Sequence, residues 1–139
     1  MRRGDFLAAP RVTGVHHVAV WVEELERVRA FYVGALGGES GPQYHNPRTG
    51  FRSYFVSFGP GARIELMSRA DVVPVDRGAA ATGYAHVSLS VGSREAVDAL
   101  VAALEAASVV IDSRPRQTGD GYYEAVVLDP EGNRIEITV

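Results

Sequence analysis

No cysteine occurs anywhere in the 139 residues. That excludes disulfides, thiolate metal ligands and a cysteine nucleophile, and it favours a reducing, cytoplasmic setting. An excess of one charge is also missing. Fourteen Lys and Arg stand against 17 Asp and Glu, for a net charge of −3, with both signs interspersed. No basic stripe is present, so neither nucleic acid nor an anionic membrane surface is an expected partner. No apolar run approaches membrane-spanning length. The opening Met1 to Pro10 is too short and too little apolar for a signal peptide, and residues 1–11 read as an arm with Phe6 and Leu7 available for docking. Low-complexity tracts are absent. What remains, 46% hydrophobic and 22% charged, fits one soluble domain with a real core.

What the chain does contain is a repeat. A shift of 69 carries Gly14, His17, Val18 and Val22 onto Gly83, His86, Val87 and Val91. A shift of 71 carries Gly50, Val56, Gly61, Arg63, Ile64 and Glu65 onto Gly121, Val127, Gly132, Arg134, Ile135 and Glu136. Self-similarity of this kind fixes architecture before any local signal does. It also gives each copy one His and one Glu at equivalent places.

Each copy reads as β-α-β-β-β. In the first, Val15–Val22 alternates as a strand and Glu24–Leu36 shows a helical stripe of Leu25, Val28, Phe31, Tyr32, Ala35 and Leu36, stopped by Gly37-Gly38. Extended segments follow near Glu39–His45, Phe51–Phe58 and Ala62–Ser68, the last two joined by Gly59-Pro60-Gly61. In the second, a strand over Tyr84–Val91 precedes a helix from an N-cap at Ser93 to about Ala107, with Ala96, Val97, Leu100, Val101 and Leu104 inward. Strands near Val109–Ser113, Tyr122–Leu128 and Asn133–Val139 complete it, and Asp129-Pro130-Glu131-Gly132 reads as a turn and nothing more. The expected layout is a single domain over 12–139: module 1 at about 12–69, a linker at 70–82 and module 2 at 83–139.

Strand parity gives the functional reading. His17, Glu65, His86 and Glu136 each fall opposite a regular apolar row, on the face a curved sheet would turn toward a pocket. A lone strand His is usually a hydrogen-bonded structural group. Two at matching repeat positions, each with a matching Glu, make a ligand set for a divalent ion. His16 has the other parity and is expected to face the helix without a metal role. His45 reads as a loop residue. Arg48, Arg52 and Arg69 suit an anionic group through bidentate contacts, although each singly reads as a solvated arginine. Trp21 lies on the ligand face as an apolar wall, with Tyr122, and Tyr123 beside it, as further wall residues or simple sheet residues.

The segments Gly14…His17-Val18-Ala19-Val20, Phe31-Tyr32…Leu36-Gly37, Ala62-Arg63-Ile64-Glu65-Leu66, Tyr84-Ala85-His86-Val87-Ser88-Leu89-Ser90-Val91 and Asp129–Glu136 together resemble the vicinal oxygen chelate superfamily. That resemblance covers roughly residues 12–139. It implies an α+β fold of two βαβββ modules forming a curved mixed sheet that cups a metal, usually in a homodimer. Within the superfamily the His/Glu/His/Glu set is similar to bacterial glyoxalase I. Carried over, it makes His17, Glu65, His86 and Glu136 metal ligands and Glu136, with Glu65 as symmetry partner, the catalytic base. Two positions depart from that pattern. Trp21 stands where glyoxalase I has an arginine for the glutathione carboxylate, and Arg69 where an asparagine is usual. Methylmalonyl-CoA epimerases have a glutamine at the place of Glu65. Fosfomycin-inactivating members have only one glutamate, and extradiol dioxygenases are about twice as long.

Two imidazoles and two carboxylates neutralise a +2 ion and accept Ni, Zn, Co, Mn or Fe, leaving open positions for two vicinal substrate oxygens. The expected activity is therefore that of a metal-dependent lyase or isomerase acting on a small α-oxygenated carbonyl compound through a metal-stabilised enediolate. The alternative is a non-catalytic protein that sequesters an aromatic drug, as bleomycin-resistance proteins of this fold do. Trp21 fits that reading, and the intact ligand set fits the enzyme.

Overall fold

A computed structural model describes residues 12–76 and 82–139; the expected arm, with Phe6 and Leu7, lies outside them, as do residues 77–81 of the expected linker. Among the described residues, nine strands and two α-helices, the first continued by a π-helical turn, run in the order β1 (His17–Trp21), α1 (Leu25–Ala30), β2 (Glu39–Ser40), β3 (Tyr44–Asn46), β4 (Phe51–Ser57), β5 (Arg63–Ser68), β6 (Val87–Ser90), α2 (Arg94–Ala106), β7 (Ile111–Gln117), β8 (Tyr123–Leu128) and β9 (Arg134–Thr138). They form two mixed sheets, one per module, and the class is α+β. The first has the order β1-β5-β4-β2 with β3 also on β4; the second has the order β6-β9-β8-β7. β1 runs parallel to β5 and β6 parallel to β9, while the remaining pairs are antiparallel. The repeat is thus a repeat of topology, and β1 and β6 are equivalent edge strands.

Register fixes the faces. His17, Ala19 and Trp21 sit opposite Arg63, Glu65 and Met67, and Glu65 and Met67 sit opposite Phe55 and Ser53. The other face carries Val18, Val20, Ile64, Leu66 and Val56, with Ile64, Leu66 and Val56 buried beneath α1, where Leu25 and Val28 are buried too. In module 2, Ile135, Ile137, Ala125 and Val127 are buried with Val97, Val101 and Leu104 of α2. Burying a side chain of this size contributes roughly 1.5–3 kcal/mol, so these rows set the register.

The first helix differs from a simple continuous one. Its α-helical part ends at Ala30 and the chain goes on as a π-helical turn over Phe31–Ala35. The wider turn lets the adjacent Phe31 and Tyr32 both reach the core, their rings 5.6 Å apart edge to face. Gly37 then takes a positive φ of 74°. At Gly38 space is the constraint: a Cβ there would lie 2.5 Å from Val56 Cγ1 and 3.0 Å from the Phe58 ring. The extended Glu39–His45 segment is two short strands, both on β4. In module 2 the N-cap is as expected, with Ser93 Oγ accepting from Ala96 N at 3.1 Å. β7 starts later than Val109 and runs to Gln117, with two register shifts against β8.

The Asp129-Pro130-Glu131-Gly132 turn does more than reverse the chain, which corrects the reading of it as a turn and nothing more. Asp129 is buried; its Oδ1 accepts from Glu131 N and Asn133 N, and its Oδ2 accepts from Asn133 Nδ2 and from the Tyr32 hydroxyl of module 1. Burial, with the Asp129 charge adding, pushes the Tyr32 hydroxyl well up. The Glu131 carboxylate accepts from Glu23 N and Glu24 N at 2.7–3.0 Å, taking up backbone donors at the start of α1. A single turn of module 2 therefore holds module 1 in two places.

Candidate metal-binding half-sites

β1 begins with His17 on the open face, and β5 sets Glu65 opposite Ala19, the next residue of β1 on that face. His17 Nε2 lies 3.4 Å from Glu65 Oε2. The same construction in module 2 brings His86 Nε2 to 3.3 Å from Glu136 Oε2. Exposure matches as well: the carboxylate side chains are 15% and 14% exposed, the imidazoles 37% and 41%. Each half-site thus holds a covered oxygen donor and an accessible nitrogen donor. Two ligands at about 2.1 Å from one ion stand about 3.0 Å apart at 90° and about 3.4 Å apart at the tetrahedral angle. The observed separations suit two donors of a single divalent ion.

The four donors do not meet. Among the described residues no three His, Asp or Glu side chains cluster closely enough to hold a metal ion. A cavity of ≈ 990 Å³ runs between the modules and reaches Trp21 and His86, but His17, Glu65 and Glu136 do not line it. Within one chain the repeat makes two equivalent halves rather than one centre.

Each half has its own surroundings. At Glu136, the Ser88 hydroxyl donates to Oε1 at 2.6 Å, leaving Oε2 to His86. Glu124 shares that face through the β8–β9 register. Burial, then the Glu136 charge and a hydrogen bond to Glu136, raise the Glu124 carboxyl above its ordinary range, with Arg116 at 3.6 Å pulling it back. Sequence reasoning missed Glu124. The signal was available, since a carboxylate in Tyr122–Leu128 has the parity of Val126 rather than that of the buried Ala125 and Val127. At Glu65, the neighbours are Phe55, whose ring meets His17 edge to face at 5.3 Å, and Arg63, stacked on Phe55 at 4.3 Å.

Further along the first sheet the same face becomes aromatic. Trp21 and Phe51 meet edge to face at 6.0 Å, and Tyr44 lies 6.0 Å from Phe51. Trp21 remains 44% exposed and Tyr44 57%. Arg69 stacks over Trp21 at 5.3 Å and forms a two-pronged pair with Asp71, so its charge is already matched. Arg52 falls on the other face, opposite Ser68 and His45 and near Glu26, and does not face the His17–Glu65 pair. Tyr122 is exposed just before β8, whereas Tyr123 turns to α2 and donates to Asp98 at 2.7 Å. His16 does not turn away toward the helix: its Nδ1 lies 2.7 Å from His17 Nδ1. The expectation failed there because the His16 ring turns back onto its neighbour, a contact that strand parity does not report.

Two β-α-β-β-β modules, each with a His–Glu pair on the open face of its sheet, define the class of fold. The chain belongs to the Glyoxalase/Bleomycin resistance protein/Dioxygenase superfamily, whose sequence profile matches residues 14–137. No curated protein matches it significantly. Among solved structures it is similar to the trypanothione-dependent glyoxalase I of Leishmania major, at 25% identity and a TM-score of 0.74, covering 91% of this chain and 86% of that one. A glyoxalase family protein from Enterococcus faecalis shares the fold at 22% identity and a TM-score of 0.75, covering 91% and 98%. Glyoxalase I of Zea mays does so at 22% identity and 0.76, covering 90% of this chain but only 44% of the longer maize enzyme.

Proposed function

We propose that two chains pair so that the His17–Glu65 half-site of one meets the His86–Glu136 half-site of the other, and that each completed site holds one divalent ion. The carrying observation is the pair of equal N···O separations, 3.4 and 3.3 Å, in two halves that lie apart within a chain. His17 opens β1 and His86 directly precedes β6, both of them sheet-edge strands, and edges of this kind are normally covered. A twofold dimer covers both at once and yields two identical sites.

The activity that fits is a glyoxalase I-like lyase or isomerase acting on a small α-oxygenated carbonyl compound. His17, Glu65, His86 and Glu136 would hold Ni, Zn, Co, Mn or Fe. When bound, the ion supplies Lewis-acid stabilisation of negative charge developing on vicinal substrate oxygens. The chain's own groups do the rest. Glu136 takes the proton from the carbon beside the carbonyl and returns it to the neighbouring carbon. Ser88 fixes the carboxylate through Oε1 so that Oε2 is aimed, and Glu124 stands beside it as a second acid group. Glu65 is the symmetry partner for the opposite face of the substrate. Trp21, Phe51 and Tyr44 form a wall for an apolar, ring-bearing part of the molecule and exclude water there. Arg69, matched by Asp71, is a poor clamp for a glutathione carboxylate.

The same aromatic wall supports a second reading, a non-catalytic binder of an aromatic drug. Dialysis against Ni²⁺ or Zn²⁺ followed by metal analysis separates the two. The enzyme reading expects about one ion per chain, held at the four-donor site. It also expects solvent deuterium to enter the carbon that receives the proton. Tight binding of an aromatic ligand by a protein that takes up no metal would favour the binder.

A further inference from the structure

His16, His17 and Glu65 form a row that ends on Arg63. Arg63 NH2 lies 3.4 Å from His16 Nε2, His16 Nδ1 lies 2.7 Å from His17 Nδ1, and His17 Nε2 lies 3.4 Å from Glu65 Oε2. Arg63 is itself held on the Phe55 ring, and its backbone N–H donates to the His16 carbonyl at 3.2 Å.

A guanidinium only donates. Its contact with His16 Nε2 therefore uses that atom's lone pair and leaves the His16 hydrogen on Nδ1. His16 Nδ1–H then donates to His17 Nδ1, and the His17 hydrogen sits on Nε2, facing Glu65. This arrangement satisfies every group but leaves His17 with no lone pair on the nitrogen that faces Glu65. A metal ligand needs the reverse. With Nε2 free, the His17 hydrogen moves to Nδ1 and needs an acceptor, and His16 Nδ1 stands there at hydrogen-bond distance. The His16 hydrogen moves to Nε2, and Arg63 lets go of it. Both rings stay neutral and the number of hydrogens is unchanged.

We propose that His16 is a positioning residue: it accepts the Nδ1–H of His17 and so presents His17 Nε2 as a ligand, while Arg63 favours the unloaded arrangement. Metal-ligating histidines depend on such a partner at the second nitrogen. The two half-sites differ in this respect, because the repeat position of His16 is Ala85. The first half-site carries a built-in tautomer switch and the second does not.

The inference rests on His17 being a ligand, and the experiment separates the two ideas. Ni²⁺ affinity is measured by titration calorimetry on the full chain and on H17A, H16A and H16N, with circular dichroism confirming folding. Nitrogen-15 imidazole spectra record which ring nitrogen of His17 carries hydrogen. Expected are loss of binding in H17A, about a ten- to hundredfold loss in H16A, and recovery of most of it in H16N, whose amide oxygen can accept. The His17 hydrogen should move from Nε2 to Nδ1 when diamagnetic Zn²⁺ is added to the wild type. Wild-type affinity in H16A, with binding lost in H17A, would overturn the positioning role and leave the ligand standing. Wild-type affinity in H17A would overturn both. Equal loss in H16A and H17A with no recovery in H16N would make His16 a ligand instead.

Discussion

Glu136 receives the Ser88 hydroxyl on one oxygen and faces His86 with the other, so its role can be tested without disturbing its place. Glu136→Gln keeps an oxygen for His86 and loses the ability to accept a proton. Metal should be partly retained, while steady-state turnover of an α-oxygenated carbonyl substrate falls about 10²–10⁴-fold. Equal loss of metal and turnover would make Glu136 a ligand only. Trp21 gives a second test at this scale. Losing a charge-assisted carboxylate contact costs about 1.5–3 kcal/mol, so the methylglyoxal–glutathione hemithioacetal should be a poor substrate of metal-loaded protein. A kcat/KM near 10⁶ M⁻¹s⁻¹, about the level of efficient enzymes, would show that other residues bind glutathione. The residues of the two His–Glu pairs were legible because the repeat supplied two independent copies of one signal. His16 was not, and for Glu124 strand parity was the single signal. Parity puts His16 on the helix side, but its ring turns back onto His17, and parity does not report a contact between neighbouring side chains. Glu124 has no counterpart in module 1, where Ser53 holds its repeat position, so no repetition marked it out.

At the scale of elements, the turn after β8 behaves as a fastener between modules. Glu131→Ala removes an acceptor from the Glu23 and Glu24 amides and should cost about 1–2 kcal/mol. The loss should appear as a lower urea midpoint at unchanged slope; Glu131→Gln should fall between. Gly38→Ala tests close approach rather than backbone freedom. Its Cβ would meet Val56 and Phe58, and overpacking there should cost about 1–3 kcal/mol by the same measurement. An unchanged midpoint would show that Val56 and Phe58 yield freely. Strands and helices bounded by apolar alternation or a cap were readable from the sequence: β4, β5, β8, β9 and the Ser93-capped α2 lie within a residue or two of expectation. The π-turn at Phe31–Ala35 was not, since its cause is the need to bury two adjacent rings against a sheet. The Glu131 contact was equally hidden, because it joins residues 107 and 108 apart in sequence.

For the whole molecule, the sequence showed two modules but not how they meet. Repeats report equivalence, whereas assembly depends on which surfaces come together. The structure separates the two half-sites, so a dimer is expected in solution, and sedimentation at micromolar concentration should give twice the chain mass of 14.9 kDa. The most direct test of shared sites is complementation. His17→Ala and His86→Ala each damage every site in their own homodimers. After unfolding and refolding together, half of the dimers should be mixed, and each mixed dimer has one undamaged site and one doubly damaged site. The account predicts that metal binding returns to about a quarter of the wild-type level, carried by the mixed dimers alone. No recovery, in a mixture shown to contain mixed dimers, would contradict it and place each site within a single chain.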